Sequence, residues 1–206
     1  MSPTGPAAPT PKGTRRRAEL LAAAERVLAG EGGAELTLRA VAAEAGVRIG
    51  HLQYYFPARA DLIAALLEQV LSGALARVAA VCPDPATAGN GPAEDAAVLD
   101  AVLLADHEDA RLVRMFTEIW ALAAREESAA RAVREFYAAY TRHVAEFMAR
   151  RSPGAPPAEF ESRAAAFVML IEGASLFRSG IAGRPGPGAE AELRRLALGL
   201  LAPPGA

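Results

Sequence analysis

Several residue types are scarce in this 206-residue chain, and each scarcity narrows the class of protein. There is one cysteine, Cys82, which excludes an internal disulfide and a zinc site built on cysteines. No run of eighteen apolar residues occurs and the first residues do not resemble a signal peptide, so we expect a soluble, cytoplasmic protein without membrane association. β-Branched runs are rare, whereas 52% of the residues are apolar and helix formers dominate. This composition predicts an all-α fold with a sizeable core.

The charge is unevenly distributed, although the formal net charge is only −2. From Lys12 to Arg59 we count eight basic and five acidic residues, so the N-terminal quarter is positive and the remainder is negative. Such an asymmetry suggests that one end of the molecule meets a polyanion. Solvated helix faces are the alternative explanation.

Proline separates an N-terminal arm from the first predicted helix. Residues 1–13 contain four prolines and no apolar pattern, so we expect a disordered arm. Thr14 is the expected cap of an amphipathic helix that ends near Gly30 and Gly32. The apolar residues that recur at helical spacing on it are Leu20, Leu21, Ala24, Val27 and Leu28.

Two short helices joined through Ala45-Gly46-Val47 form a helix-turn-helix pattern. Thr37 suits the start of the first of them, because its hydroxyl can accept a hydrogen bond from a first-turn amide. Gly46 can adopt the positive φ that the tight turn requires. The second helix runs from about Arg48 to Phe56, and Pro57 ends it.

The second helix of this pattern has an inward and an outward side. Val47, Leu52 and Phe56 are expected to face inward. The outward side carries residues that can read a major groove, because arginine donates to guanine, glutamine pairs with adenine and isoleucine can touch a thymine methyl. These residues are Arg48, Ile49, Gly50, His51, Gln53 and Tyr54. The alternative is a plain helical hairpin with the tyrosines in its core, but one helix face cannot bury them all.

Other residues are placed to reach the DNA backbone or a neighbouring minor groove. Arginine side chains, a tyrosine hydroxyl and a helix N-terminus all suit phosphate oxygens. The candidates are Arg15, Arg16, Arg17, Thr37, Tyr55 and Arg59.

Residues 14 to about 66 resemble the DNA-binding domain of the tetracycline-repressor (TetR) family of regulators. The residues that carry the resemblance lie in the right order over some fifty positions: the arginine-rich start, Glu31-Gly32, Thr37, Val41-Ala42, Ala45-Gly46-Val47, Gly50, Leu52, Tyr55-Phe56 and the first half of the fourth helix. Three positions depart from the family pattern. Arg48 stands where Ser or Thr is frequent, Gln53 replaces a usual tyrosine and Arg59 replaces a common lysine. The first two bear on the operator sequence and not on the fold.

The resemblance implies about nine helices in two domains. Residues 14–58 would form the helix-turn-helix DNA-binding domain, and residues 59–206 a larger helical domain for ligand binding and dimerisation. Its last two helices would pair with those of a second subunit. The sequence is compatible with this pairing, since the two helices carry more apolar surface than one subunit needs. The apolar residues concerned are Phe160, Ala164, Phe167, Val168, Ile171, Leu193, Leu196, Leu200 and Leu201.

Most aromatic residues of the larger domain lie on two helices, and they are candidates for the wall of an apolar ligand pocket. The predicted lining is Met115, Phe116, Ile119, Trp120, Phe136, Tyr137, Tyr140, His143, Phe167 and Leu170, with Glu172 as a further orienting group. Aromatic stripes at helical spacing are also typical of a filled core, so this alternative stays open.

An enzyme is the remaining alternative, and the sequence gives it little support. Residues 106–109, Asp-His-Glu-Asp, have no partner at i+3 or i+4 that completes a metal site. Ser, His and Asp are too scattered for a catalytic triad, and no glycine-rich phosphate loop is present. We expect no cofactor, no metal and no catalytic residue.

The sequence therefore predicts a homodimeric regulator of transcription that binds a palindromic operator in double-stranded DNA. We expect this regulator to be a repressor that a small-molecule ligand releases from the operator. Regulators without an effector, and helical enzymes or interaction modules that keep the helix-turn-helix as scaffold, are the alternatives.

Overall fold

The computed structural model describes residues 10–82, 92–107, 110–152, 156–178 and 180–202. Throughout these ranges the regular structure is helical, which confirms the predicted all-α class. The α-helices are α1 (Pro11–Glu31), α2 (Leu38–Glu44), α3 (Ile49–Tyr55), α4 (Arg59–Val81), α5 (Pro92–His107), α6 (Ala110–Ala123), α7 (Glu127–Arg151), α8 (Pro157–Arg178) and α9 (Pro187–Leu201). A short 3₁₀ turn, Gly33–Glu35, lies between α1 and α2.

The first helix begins earlier than the sequence predicts. Thr10, not Thr14, is the N-cap, and its hydroxyl accepts a hydrogen bond from Gly13 N at 3.2 Å. Pro11 occupies the first helical position, where its missing amide hydrogen costs nothing because that amide would have no partner within the helix. The predicted disordered arm is therefore wrong for residues 11–13, and residues 1–9 of it lie outside the described ranges.

The caps of the next helices follow local sequence. Thr37 Oγ1 accepts a hydrogen bond from Ala40 N at 3.1 Å, as predicted for the start of α2. At the start of α4, the Asp61 carboxylate accepts a hydrogen bond from Ala58 N at 2.7 Å. Gly46 has a φ of +64°, so the predicted left-handed turn between α2 and α3 is confirmed.

A continuous buried cluster joins the first helices to α6 and α7. It extends from Leu20 on α1 through Leu52 and Phe56 to Ile119 on α6 and Phe136 on α7. The boundary predicted between residues 58 and 59 is therefore crossed by one core. As a consequence, the helix-turn-helix unit and the helices that carry the aromatic residues are packed directly on each other.

A second buried cluster holds the C-terminal half together. It combines residues of α5, α7, α8 and α9, including Leu99, Phe147, Phe167 and Leu201. The Arg151 guanidinium and the Asp95 carboxylate form a buried ion pair that ties α7 to α5.

Within the described residues, one helix is long and apolar enough to cross a membrane by length and composition alone. It is α4, with a mean hydropathy of 1.6 over eighteen residues. The core helices of soluble proteins pass the same test, and α4 packs against α1, α5 and α7 in this fold.

Candidate DNA interface, effector pocket and subunit face

The turn between α2 and α3 fixes how α3 is presented. Val47 N donates to Ala42 O at 2.9 Å and Gly46 N donates to Ala43 O at 3.0 Å. Leu52 and Phe56 are buried in the first cluster, as predicted, and they hold α3 by its inner side. The rest of the helix consequently projects from the protein.

The outer side of α3 forms an exposed surface, which we call the α3 face. Tyr54 has 80% of its area exposed, which is unusual for an aromatic side chain in a monomer. Gly50 is open, since a Cβ placed there would meet nothing within 4 Å. The exposed residues are the six predicted to read bases: Arg48, Ile49, Gly50, His51, Gln53 and Tyr54.

The three arginines at the start of α1 occupy different positions. The Arg15 side chain is 85% exposed and pairs with Glu19 at 3.3 Å. Arg16 Nε donates to His51 Nε2 at 3.3 Å, so α1 and α3 are joined beside the α3 face. Arg17 lies over the Phe56 ring, 5.4 Å from its centroid, and pairs with Glu68 at 3.2 Å.

Two other predicted phosphate contacts differ in their surroundings. Tyr55 is half-buried and its ring packs against those of His51 and Tyr54. Arg59 forms an ion pair with Glu126, which lies before α7. This ion pair links Arg59 to the start of α7, and its predicted contact with a phosphate stays a prediction.

A small cavity of about 40 Å³, the inner cavity, lies among α4, α6, α7 and α8. The predicted pocket residues Phe116, Trp120, Phe136 and Tyr140 line it. The remaining lining residues are Val70, Leu71, Ala74, Leu112, Val113, Glu172 and Ser175.

Two hydrogen bonds connect Trp120, Tyr137 and Glu172 beside this cavity. Trp120 Nε1 donates to Tyr137 Oη at 3.1 Å, and Tyr137 Oη donates to Glu172 Oε2 at 2.9 Å. Burial, together with the negative charge of Glu172, raises the pKa of Tyr137 above its ordinary value. The phenol therefore remains protonated and continues to donate to the carboxylate throughout the neutral pH range.

A second cavity of about 270 Å³, the outer cavity, lies next to the first. Leu71, Ala74 and Tyr140 belong to the walls of both. The predicted pocket residues His143 and Phe167 line the outer cavity, together with Cys82.

Four predicted pocket residues line neither the inner nor the outer cavity: Met115, Ile119, Tyr137 and Leu170. Met115 and Ile119 are buried in the first cluster, and Met115 also lines a separate cavity of about 560 Å³ among α1, α4 and α6. Leu170 packs against the second cluster and lines neither cavity. Helical spacing could not separate cavity-lining residues from core residues. It shows which residues share one face of a helix, but not which other helix packs against that face.

The side of α6 away from the inner cavity holds the start of the helix-turn-helix unit. Glu118 Oε2 accepts a hydrogen bond from Gly33 N at 2.6 Å, and Arg114 Nη1 donates to Ala29 O at 3.2 Å. A Cβ on Gly33 would lie 3.0 Å from Glu118 O and from Leu122 Cγ, so glycine is needed for this close approach. Sequence reasoning missed this contact, which we call the Glu118 clasp, because its partners are 85 positions apart.

The last two helices expose apolar side chains, which include the predicted Leu196 but not most of the other residues predicted for the subunit contact. Phe160, Ala164, Phe167, Val168, Ile171 and Leu201 are buried within the subunit. The exposed stripe on α8 is formed by Met169, Gly173, Leu176 and Phe177, at spacings i, i+4, i+7 and i+8, and Leu196 is exposed on α9. We call these five residues the α8–α9 face.

Within the described part of the chain, no group of three or more His, Cys, Asp or Glu residues is placed to hold a metal ion. Of the Asp-His-Glu-Asp segment considered above, Glu108 and Asp109 lie outside the described ranges.

Comparisons with known proteins agree with this arrangement. The family model for bacterial regulatory proteins of the tetR family matches residues 20–66, which span α1 to the first part of α4. An uncharacterized HTH-type transcriptional regulator in the dhlA 5′ region of Xanthobacter autotrophicus is 32% identical over 153 residues, which is 74% of this chain and 72% of that protein.

Solved structures extend the likeness to nearly the whole chain. A member of the TetR family from Streptomyces coelicolor A3 is 28% identical, with a TM-score of 0.66 over 91% of this chain and 98% of that one. The multidrug binding protein EbrR, solved in complex with malachite green, is 27% identical, with a TM-score of 0.64 over 90% and 97% of the two chains. These relatives are regulators and binding proteins and not enzymes. The helix-turn-helix with its exposed α3 face, the family match and the relatives together establish that the chain belongs to the TetR family of DNA-binding transcriptional regulators.

Proposed function

We propose that this regulator is a cytoplasmic homodimeric repressor that leaves a palindromic operator when a small molecule occupies the two cavities. The observation that carries the proposal is that α6 contacts both the inner cavity and the helix-turn-helix unit. One side of this helix lines the inner cavity with Phe116 and Trp120, and the other side holds Gly33 through the Glu118 clasp. A ligand that displaces α6 therefore acts directly on the helix-turn-helix unit.

The α3 face supports direct reading of bases. Its exposed side chains include an arginine and a glutamine, which pair with guanine and adenine through two hydrogen bonds each. Arg15 and Arg16 lie beside His51 of this surface and suit phosphate oxygens, and the exposed Thr37 caps the N-terminus of α2, which also suits an anion. Residues 14–58 thus act as the DNA-binding unit in the proposal, although their core is shared with α6 and α7.

The α8–α9 face supports a two-fold dimer. Met169 is 69% and Phe177 48% exposed, and Gly173 between them leaves room for the backbone of a second helix. Side chains of this kind are stabilised by burial, and a four-helix contact of α8 and α9 with their symmetry mates buries them. Two α3 helices would then address half-sites centred about 34–36 Å apart, or a multiple of that distance.

Effector release follows from a population shift. A ligand that binds better to the arrangement with mis-spaced α3 helices draws the protein away from DNA by its difference in affinity between the two arrangements. Two helices carry the change in this proposal: α4, which leads from α3 to both cavities, and α6 through its clasp. The structure of the similar multidrug binding protein EbrR in complex with malachite green supports the proposal that a small molecule binds to this regulator.

The DNA-reading assignment is tested by selection of genomic fragments with the purified protein and with Arg48→Ala and Gln53→Ala. We expect one palindrome to be enriched, and each variant to lose about 1–3 kcal/mol of discrimination at the base it reads. Arg125→Ala, an exposed arginine between α6 and α7, is the matched control. Enrichment of no sequence at moderate salt, with variants that behave like the parent, contradicts the assignment.

The division between DNA binding and effector binding is tested at Trp120. Trp120→Ala removes cavity wall but touches no residue of the α3 face, so we expect an altered response to effector and nearly unchanged operator affinity. Loss of operator binding in a folded Trp120→Ala dimer would show that this division is wrong.

A regulator without an effector is the second candidate, and the small inner cavity favours it. A volume of 40 Å³ is well below the ~300 Å³ at which ligand pockets typically begin. A thermal-shift screen that includes malachite green distinguishes the two, since only a binding pocket gives ligands that both stabilise the protein and release its operator.

A further inference from the structure

The inner cavity combines aromatic rings with one carboxylate. Four of its eleven lining residues are aromatic and lie on α6 and α7, and α8 contributes Glu172 and, one turn later, Ser175. The ring neighbours are close: Phe116 lies 5.7 Å from Trp120 and 5.6 Å from Phe136 between centroids. The wall therefore presents π-systems and an acid to the same small space.

The carboxylate is held in place by the protein. Tyr137 donates to Glu172 Oε2 and itself receives a hydrogen bond from Trp120, so two donors in sequence point toward the acid. Hydrogen bonds to a carboxylate favour its ionised form. The chain thus fixes a negative charge at the cavity wall.

The aromatic rings of the inner cavity favour a positive charge, as Glu172 does. Aromatic faces carry negative electrostatic potential and attract cations, most strongly where water is excluded. Of the described residues that line the inner cavity, none is Lys, Arg or His. Among these described residues, an anion is repelled by the carboxylate, whereas a cation is attracted by the carboxylate and the rings together.

We infer that the inner cavity binds an apolar organic cation, a quaternary or protonated amine with hydrocarbon or aromatic groups, whose positive charge lies against Glu172. This inference rests on the proposed function, because it takes the cavities to be the effector pocket. It adds the chemical class of the effector and the residue that selects it.

Tyr140 determines how large that cation can be. Its side chain belongs to the walls of both cavities, so in this proposal a ligand that displaces the ring joins the inner cavity to the 270 Å³ of the outer one. The charged group then occupies the inner cavity, and the hydrocarbon part extends between α4 and α7 toward Phe147 and Phe167.

The test uses two probes of equal shape and different charge, benzyltrimethylammonium and its neutral carbon isostere neopentylbenzene. Trp120 is the sole tryptophan of the chain and lies in the cavity wall, so its fluorescence reports binding directly. Each probe is titrated into the parent, into Glu172→Gln and into Glu135→Gln, an exposed α7 control of the same charge change.

We expect the parent and Glu135→Gln to bind the cation at least about tenfold more tightly than the isostere, and Glu172→Gln to lose that preference. Binding of the neutral isostere should stay within about twofold in all three proteins, which also shows that Glu172→Gln retains a folded cavity. Equal affinity for the two probes in the parent overturns the inference, and this result does not depend on the folding of any variant.

Measuring the effect of each probe on operator affinity tests the proposed function separately from this inference. If neopentylbenzene binds and releases the operator while the cation does not, the repressor proposal stands and the cationic class is wrong. If the cation binds through Glu172 without any effect on operator affinity, the inference stands and the effector-release proposal is wrong. If neither probe changes Trp120 fluorescence, the cationic class is overturned, and the repressor proposal is judged by the malachite green screen alone.

Discussion

The helices α3 and α8 both expose one side to solvent, and the two surfaces differ in chemistry. The α3 face carries hydrogen-bonding side chains with an exposed tyrosine, and the α8–α9 face carries methionine, leucine and phenylalanine around a glycine. Both helices are anchored by buried residues on the opposite side, Leu52 on α3 and Ile171 on α8. Exposure alone therefore does not identify a partner: donors and acceptors suit base edges, whereas exposed hydrocarbon suits another apolar surface.

The largest effect is expected from charge on the α8–α9 face. The double substitution Leu176→Glu and Phe177→Glu places acids where a second subunit would pack, so we expect monomers with operator affinity lowered about 100-fold or more, because avidity is lost. Light scattering gives the mass, circular dichroism verifies the helical fold, and Ser162→Glu on exposed α8 is the control. A double variant that remains dimeric would assign dimerisation to another surface.

Truncation on the α3 face should have a smaller effect of a different kind. Tyr54→Ala removes a side chain that makes few contacts within the subunit, so we expect operator affinity to fall about tenfold with dimer mass and melting temperature unchanged. Fluorescence anisotropy with labelled operator measures this. Val81→Ala, an exposed apolar truncation at the end of α4, serves as the comparison, and equal losses in both variants would contradict a specific role for Tyr54.

The Glu118 clasp joins the start of the helix-turn-helix unit to α6, and α6 lines the inner cavity together with α8. Loss of the clasp should weaken the coupling between effector binding and operator binding without abolishing either one. In Glu118→Ala the Gly33 amide loses its acceptor, so we expect the ratio of operator affinities without and with effector to fall about fivefold. Glu118→Gln keeps an acceptor oxygen and should retain most of the coupling. If the two variants respond alike, the hydrogen bond is not the link.

The smallest effect concerns the basic residues beside the α3 face. Arg15 is exposed, whereas Arg17 is engaged with Glu68 and the Phe56 ring. Arg15→Ala should therefore reduce the slope of log affinity against log salt by about 1, and Arg17→Ala should leave the slope unchanged. A titration of operator binding at several salt concentrations distinguishes the two, and a reduced slope in Arg17→Ala would place that side chain on a phosphate.

Local patterns made the helix-turn-helix predictable. The turn at Gly46, the cap at Thr37 and the burial of Leu52 each depend on residues a few positions apart, and the structure confirms all three. The exposure of the six α3 residues was also predicted, and their contact with DNA stays a prediction. The sequence analysis did not identify Thr10 as the N-cap of α1, because the prolines around it suggested disorder. Pro11 nevertheless suits the first turn of a helix.

Long-range features were less predictable. Periodicity correctly identified α8 as apolar, but it could not tell which apolar side meets α7 and α9 within the subunit, so the buried Phe167 was predicted in place of the exposed Phe177. The same difficulty placed Met115 and Ile119 at the pocket. The clasp of Glu118 on Gly33 has no sequence signal, because neither residue type nor local spacing reveals a partner 85 positions away.

The amide of Gly33 is a natural probe of how often the Glu118 clasp opens. This single N–H is held by Glu118 at 2.6 Å in a partly buried position, so its hydrogen exchanges with solvent only when the clasp opens. The protection of this amide against exchange measures the free energy of opening of the contact between α6 and the helix-turn-helix unit, without DNA or any added reporter. A conformational equilibrium that operator binding reveals only as an average can thus be followed at one proton.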